Sequence, residues 1–163
     1  MGRGSTLDRI DFEIIAELRK NARIPNNKLA QKVGVAPSTC LERVRRLISA
    51  GVLYGFSAEV DPSAVGIGLQ ALITVQLRRH SRDLVDSFRN HAVTLKEVLA
   101  VYHVAGSNDF LVHTAVRDAD HLRDLAMDAF TTRPEVSHIE TNLIFEYSRT
   151  RELPNYRLDD LDK

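Results

Sequence analysis

The chain has 163 residues, of which 44% are hydrophobic and 27% charged, and its 22 Lys and Arg balance 22 Asp and Glu to a formal net charge of zero. That length admits one domain or two small ones with cores of their own, and the composition is that of an ordinary soluble protein. No apolar run approaches the ~18 residues of a membrane helix, no signal-peptide core stands at the N-terminus, and a single cysteine excludes an intrachain disulfide, so a cytoplasmic location is expected.

The zero total hides an asymmetry. Residues 1–60 hold ten Lys and Arg against six Asp and Glu, whereas 61–163 hold twelve against sixteen. A basic front half on an acidic rear half predicts two modules with different partners.

In chain order, MGRGS is small and polar and is expected to be disordered. A first helix is predicted from about Asp8, because Asp8 and Asp11 suit a helix N-terminus. Leu7, Ile10, Ile14, Ile15 and Leu18 recur at helical spacing as its buried stripe. A second helix is predicted over 26–33, ended by a turn at Gly34, and a third from Pro37 to the stop at Gly51. Residues 52–60, VLYGFSAEV, alternate well enough to predict a strand, with Gly55 as hairpin tip or bulge, and Asp61-Pro62 is a turn signal.

The rhythm then changes. Leu69, Ala71, Ile73, Val75 and Leu77 take every second position, predicting a strand over 69–78. Leu84, Val85, Phe88 and Ala92 predict a helix. Residues 98–105 and 110–116 predict strands joined by the loop GSND. A helix with Leu122, Leu125, Ala126 and Ala129 on one face follows Asp118, and a last strand covers 136–147. The order β-α-β-β-α-β is that of ferredoxin-like folds. Strands 98–105 and 110–116 are apolar or neutral at nearly every position, so both their faces want cover. Two helices cover one face of the sheet; the other asks for a partner, most simply a second copy.

The third helix carries the strongest functional signal. On a wheel at about 100° per residue, Cys40, Leu41, Val44, Leu47 and Ile48 share one arc, and Ser38, Thr39, Glu42, Arg43, Arg45, Arg46 and Ser49 take the other. A helix apolar on one side and rich in arginine on the other fits an anionic surface, most simply double-stranded DNA. A helix-turn-helix reads base edges with the N-terminal residues of its second helix and holds phosphates with nearby cations. This assigns Ser38, Thr39, Glu42 and Arg43 to base or groove contacts and Arg45 and Arg46 to phosphates. For Glu42 the reading as an ion-pair partner orienting Arg43 or Arg46 is preferred to a base contact. Cys40, on the apolar arc, reads as a core residue rather than a redox sensor.

In these residues the chain resembles the Lrp/AsnC (leucine-responsive, feast/famine) family of transcriptional regulators. The resemblance rests on LDRIDFEIIAEL at 7–18, CLERVRRL at 40–47 and GVLYGFSAEVDP after it, and extends over about 7–148. The rear module is similar to that family's RAM domain, including the loop G-x-x-D at 106–109. The expected fold is therefore α+β: a winged-helix-like helix-turn-helix domain (1–60), a linker (61–68), a ferredoxin-like RAM domain (69–148) and a charged tail (149–163). The resemblance implies homodimers that assemble further, to tetramers or octamers. It also implies promoter binding modulated by an amino acid held between RAM domains, at the nucleoid and without another cofactor.

The loop at 106–109 has a plain reading as a hairpin turn. The resemblance makes it an effector site, in which backbone N–H groups around Gly106 and Asn108 take a carboxylate and Asp109 faces an ammonium; Thr141 is a further lining residue. If Ala105 paired with Phe110, His103 would face Val112 and His113 would face Tyr102, setting the imidazoles on opposite faces. No metal site is expected there. The sequence carries no P-loop, G-x-S-x-G or H-E-x-x-H pattern. Two rivals to a ligand-gated regulator stand: an enzyme like the siroheme decarboxylases, which share a similar two-module build, with His103 and His113 to watch, and a DNA-architectural protein without effector.

Overall fold

The computed structural model describes residues 7–150 and 153–157; the expectation for MGRGS and most of that for the charged tail (149–163) lie outside the described residues. The chain divides into two compact units, one running up to Glu59 and including the stretch after Tyr147, the other Val60–Tyr147.

The first unit is built on three helices: α1 (Arg9–Lys20), α2 (Asn26–Lys32) and α3 (Pro37–Ser49). Asp8 caps α1 by accepting from the Asp11 N–H, and Asp11 reciprocates on the Asp8 N–H, a capping box that fixes where the helix begins. Gly34 closes the turn after α2 at φ +69°, a left-handed conformation that a side chain would resist. The Val35 N–H then bonds the Ala30 carbonyl at 3.0 Å, and Asn26 Nδ2 donates to the Pro37 carbonyl at 2.8 Å, pinning the start of α2 to the start of α3. Ile14, Leu18, Leu29, Ala30, Cys40 and Leu47 form the buried centre.

The strand predicted over 52–60 does not form: the segment has no ladder among the described residues, and Tyr54 is 94% exposed. Alternation prepares a strand, but pairing makes one, and this segment has no neighbouring strand in its own unit.

The second unit carries β1 (Leu69–Leu77), α4 (Arg82–Ala92), β2 (Val98–His103), β3 (Phe110–Val116), α5 (Ala119–Leu125, continued by a π-wound turn Ala126–Thr131) and β4 (Val136–Leu143). The sheet is antiparallel throughout, in the order β2-β3-β1-β4. One face of it is covered: Ile73, Val75, Val112 and Phe110 are buried with Phe88 of α4 and Phe130 after α5, whose rings lie 4.8 Å (Phe88–Phe110) and 5.9 Å (Phe88–Phe130) apart.

The β2–β3 register differs from the predicted one. His103 pairs with Phe110, Val101 with Val112 and Ala100 with His113, because the connection runs through six residues instead of four. The slip is two residues, so parity survives and the two histidines still lie on opposite faces. His103 stacks on Phe110 at 5.0 Å, while His113 bonds Gln70 Oε1 at 2.9 Å on the other face.

Candidate functional site

The surface of α3 sorts its polar residues into two kinds. Cys40 and Leu47 are buried and Val44 half-buried, which fixes the roll of the helix. Ser38, Thr39, Glu42, Arg45 and Arg46 are exposed and Arg43 is half-buried. Among the described residues neither Glu42 nor Arg45 has an ion-pair partner, so the pairing of Glu42 with Arg43 or Arg46 is not what the fold contains.

Arg43 and Arg46 pair instead with the first turn of α1. Arg43 Nη1 lies 2.7 Å from Asp8 and 2.9 Å from Asp11, and Arg46 Nη2 lies 2.6 Å from Asp11. Asp11 has no exposed surface. A carboxylate is tolerated there because two guanidinium groups and the capping N–H satisfy it. Desolvation works to raise the Asp8 pKa, but bonds from Arg43 and the Asp11 N–H, with the charges of Arg43 and Arg46, together outweigh it and hold the group below the ordinary carboxylate value. The same bonds raise Arg43. Sequence reasoning saw Asp8 and Asp11 only as helix-start residues. Their partners lie 32 and 35 positions away, and no local spacing announces such a pair.

Cys40 is fully buried at the centre of this unit, and burial pushes its thiol up, as befits an unreactive core residue.

In the second unit, the connection between β2 and β3 brings Gly106, Ser107, Asn108 and Asp109 together. Gly106 and Ser107 are exposed and Asn108 is half-buried. Asp109 is buried, and both its oxygens serve its own chain: Oδ2 accepts from the Leu77 N–H at 2.7 Å and Oδ1 lies 2.8 Å from Nδ1 of the exposed His80. Its N–H donates to the Val75 carbonyl. The loop is thereby latched to the end of β1, and Asp109 is a fastening point rather than a free carboxylate. Thr141 is exposed on β4 across from Ile73, separated from the loop by β1. One chain does not bring the two together.

The other face of the sheet bears an apolar cleft of about 320 Å³, lined by Leu72, Tyr102, Leu111, His113, Ile144 and Tyr147. Desolvation there lowers the pKa of His113. The doubly apolar pattern of β2 and β3 foretold an uncovered face; the last strand, predicted over 136–147, ends at Leu143, so Tyr147 reaches the cleft from beyond it. Among the described residues no three His, Cys, Asp or Glu side chains assemble as a metal-holding group, and no helix is long and apolar enough to cross a membrane.

The arrangement can be set beside known proteins. Residues 70–153 match the Lrp/AsnC ligand binding domain, and residues 7–54 match a winged helix-turn-helix DNA-binding family. The HTH-type transcriptional regulator AldR of Mycolicibacterium smegmatis is 46% identical over 147 residues, 90% of this chain and 86% of that protein. The leucine-responsive regulatory protein of Escherichia coli (strain K12) is 34% identical over 143 residues, 88% of this chain and 87% of its own length. Among solved structures, a transcriptional regulator from Neisseria meningitidis in complex with L-Met superposes with a TM-score of 0.85 at 28% identity, covering 94% of this chain and 99% of that one.

Proposed function

This chain belongs to the Lrp/AsnC family of DNA-binding transcriptional regulators, and on that premise we propose that it works as a homo-oligomer whose hold on DNA is reset by an amino acid bound at its second unit. It is a regulator and not an enzyme. The exposed row Ser38, Thr39, Glu42 and Arg45 on α3 meets DNA, the hydroxyls and carboxylate at base edges and the guanidinium at phosphate.

The observation that carries the oligomer is the uncovered apolar face of the β2-β3-β1-β4 sheet, which a second copy would bury. The effector reading rests on the exposed loop residues Gly106 and Ser107, with Asn108 beside them, whose backbone N–H groups suit a carboxylate. Asp109 keeps that loop in place from beneath, and Thr141 lines the site from another subunit. The bound L-Met of the Neisseria relative supports an amino-acid ligand here. Binding between units would change subunit geometry and so the spacing of paired reading heads, which need half-sites about 10 bp apart or a multiple of it.

A thermal-shift screen of the full chain against the twenty amino acids tests this. One of them at a hundredfold excess over its Kd should contribute about 2.7 kcal/mol of apparent stability, and calorimetry should locate its loss in Asn108→Leu. Twenty flat melting curves would remove the amino-acid effector and leave the architectural reading.

A further inference from the structure

Two of the three arginines on α3 are spoken for inside the chain. At about 100° per residue, Ser38, Glu42, Arg45 and Ser49 fall within roughly 60° of arc, while Arg43 and Arg46 lie on the flank turned to the start of α1. On that flank Asp11, fully buried, holds Arg43 Nη1 at 2.9 Å and Arg46 Nη2 at 2.6 Å, and Asp8 takes Arg43 from the rim at 2.7 Å. Two carboxylates and two guanidinium groups make a cluster with no net charge. An arginine already neutralised by a carboxylate displaces few counterions when a phosphate approaches, and the half-exposed Asp8 repels that phosphate. Arg45 is exposed and, among the described residues, has no ion pair.

We propose that Asp11 is a positioning residue of the DNA-reading surface: it withdraws Arg43 and Arg46 from the DNA and fixes the roll of α3 that presents Ser38, Glu42 and Arg45, with Arg45 as the cation that meets phosphate. The device favours sequence readout. Phosphate contacts strengthen binding to every duplex alike, so neutralising two cations beside the reading face weakens non-specific binding more than specific binding. The inference concerns the reading head alone and stands whether or not an effector binds the second unit.

The test uses the full chain, the duplex it enriches most strongly from a random library, and a scrambled duplex of the same composition. Kd is measured for both across a range of KCl concentrations. Arg45→Ala should flatten the dependence of log Kd on log salt by about 0.9 for each phosphate that is no longer neutralised. Arg43→Ala and Arg46→Ala should weaken binding with far less change in that slope. Asp11→Asn frees Arg46 and leaves Arg43 to Asp8 alone, so it should steepen the slope, tighten binding to the scrambled duplex and shrink the ratio between the two duplexes. A residue that merely held the fold would lower Tm and affinity at every salt concentration, leaving slope and ratio alone. Should Asp11→Asn not fold, Asp8→Asn, which removes one of the two carboxylates on Arg43 while Asp11 still holds Arg43 and Arg46, should give a smaller change of the same sign. Arg46→Ala flattening the slope as much as Arg45→Ala, or an Asp variant with wild-type slope and ratio, overturns the proposal.

Discussion

Asp8 shows how much one residue is asked to do at the head of α1: it caps the helix and takes Arg43 from α3. Asn caps about as well as Asp, so Asp8→Asn isolates the charge. Because the folded Asp8 titrates below its ordinary value of 3.8, its charge adds stability above that pH and loses the contribution as pH falls through the folded value. Melting temperatures of wild type and Asp8→Asn should differ at neutral pH and converge as the pH falls below the ordinary carboxylate range; a gap that persists in acid would assign the effect to something other than the carboxylate. Gly68 is a second decisive position. A Cβ built there would stand 2.3 Å from the Arg117 carbonyl oxygen, a backbone atom that cannot swing aside. Gly68→Ala should therefore destabilise the fold by about 1–3 kcal/mol, the usual range for overpacking, and a urea midpoint equal to wild type would show that β1 shifts freely.

At the scale of elements, the helices and strands of the second unit are held by a shared aromatic centre. Phe88, Phe110 and Phe130 come from α4, β3 and the turn after α5, and all three are fully buried. Phe88→Ala opens a cavity beneath the sheet and should cost about 3–5 kcal/mol by denaturant unfolding. A loss under 1 kcal/mol would mean that α4 collapses into the gap. The elements also show why periodicity read the second unit well and residues 52–60 poorly. β1 has β3 and β4 on its two sides, so its alternation is converted into a ladder. VLYGFSAEV has comparable alternation and nothing to pair with in its own unit.

At the scale of the whole molecule, the charge asymmetry and the two-faced sheet point outward from the single chain. Tyr102 on β2 is 52% exposed and lines the apolar cleft. A charge placed there should be tolerated by the single chain and not by a neighbour packed against it. Tyr102→Glu is expected to fold with a wild-type circular dichroism spectrum and to show a smaller mass by light scattering. An unchanged mass would place the subunit contact on another surface.

What the sequence determined by itself was everything that short-range chemistry controls. The positions of the three front helices, the turn at Gly34, the burial of Cys40, the β-α-β-β-α-β order and the uncovered sheet face could all be read from spacing, caps and turn residues. These features are set within a few residues of where they are written. Only the tertiary structure decided how the charged side chains are employed. Arg43 and Arg46 read as DNA contacts, or as partners of Glu42, until α1 packs beside α3 and brings Asp8 and Asp11 against them. Asp109 reads as a ligand's partner until β3 lies against β1 and its carboxylate accepts from the Leu77 N–H. A long polar side chain reaches far from its own backbone, and burial makes an unpaired charge too costly to leave. Its partner is therefore chosen by packing between segments some 32 or more residues apart, which no local pattern records.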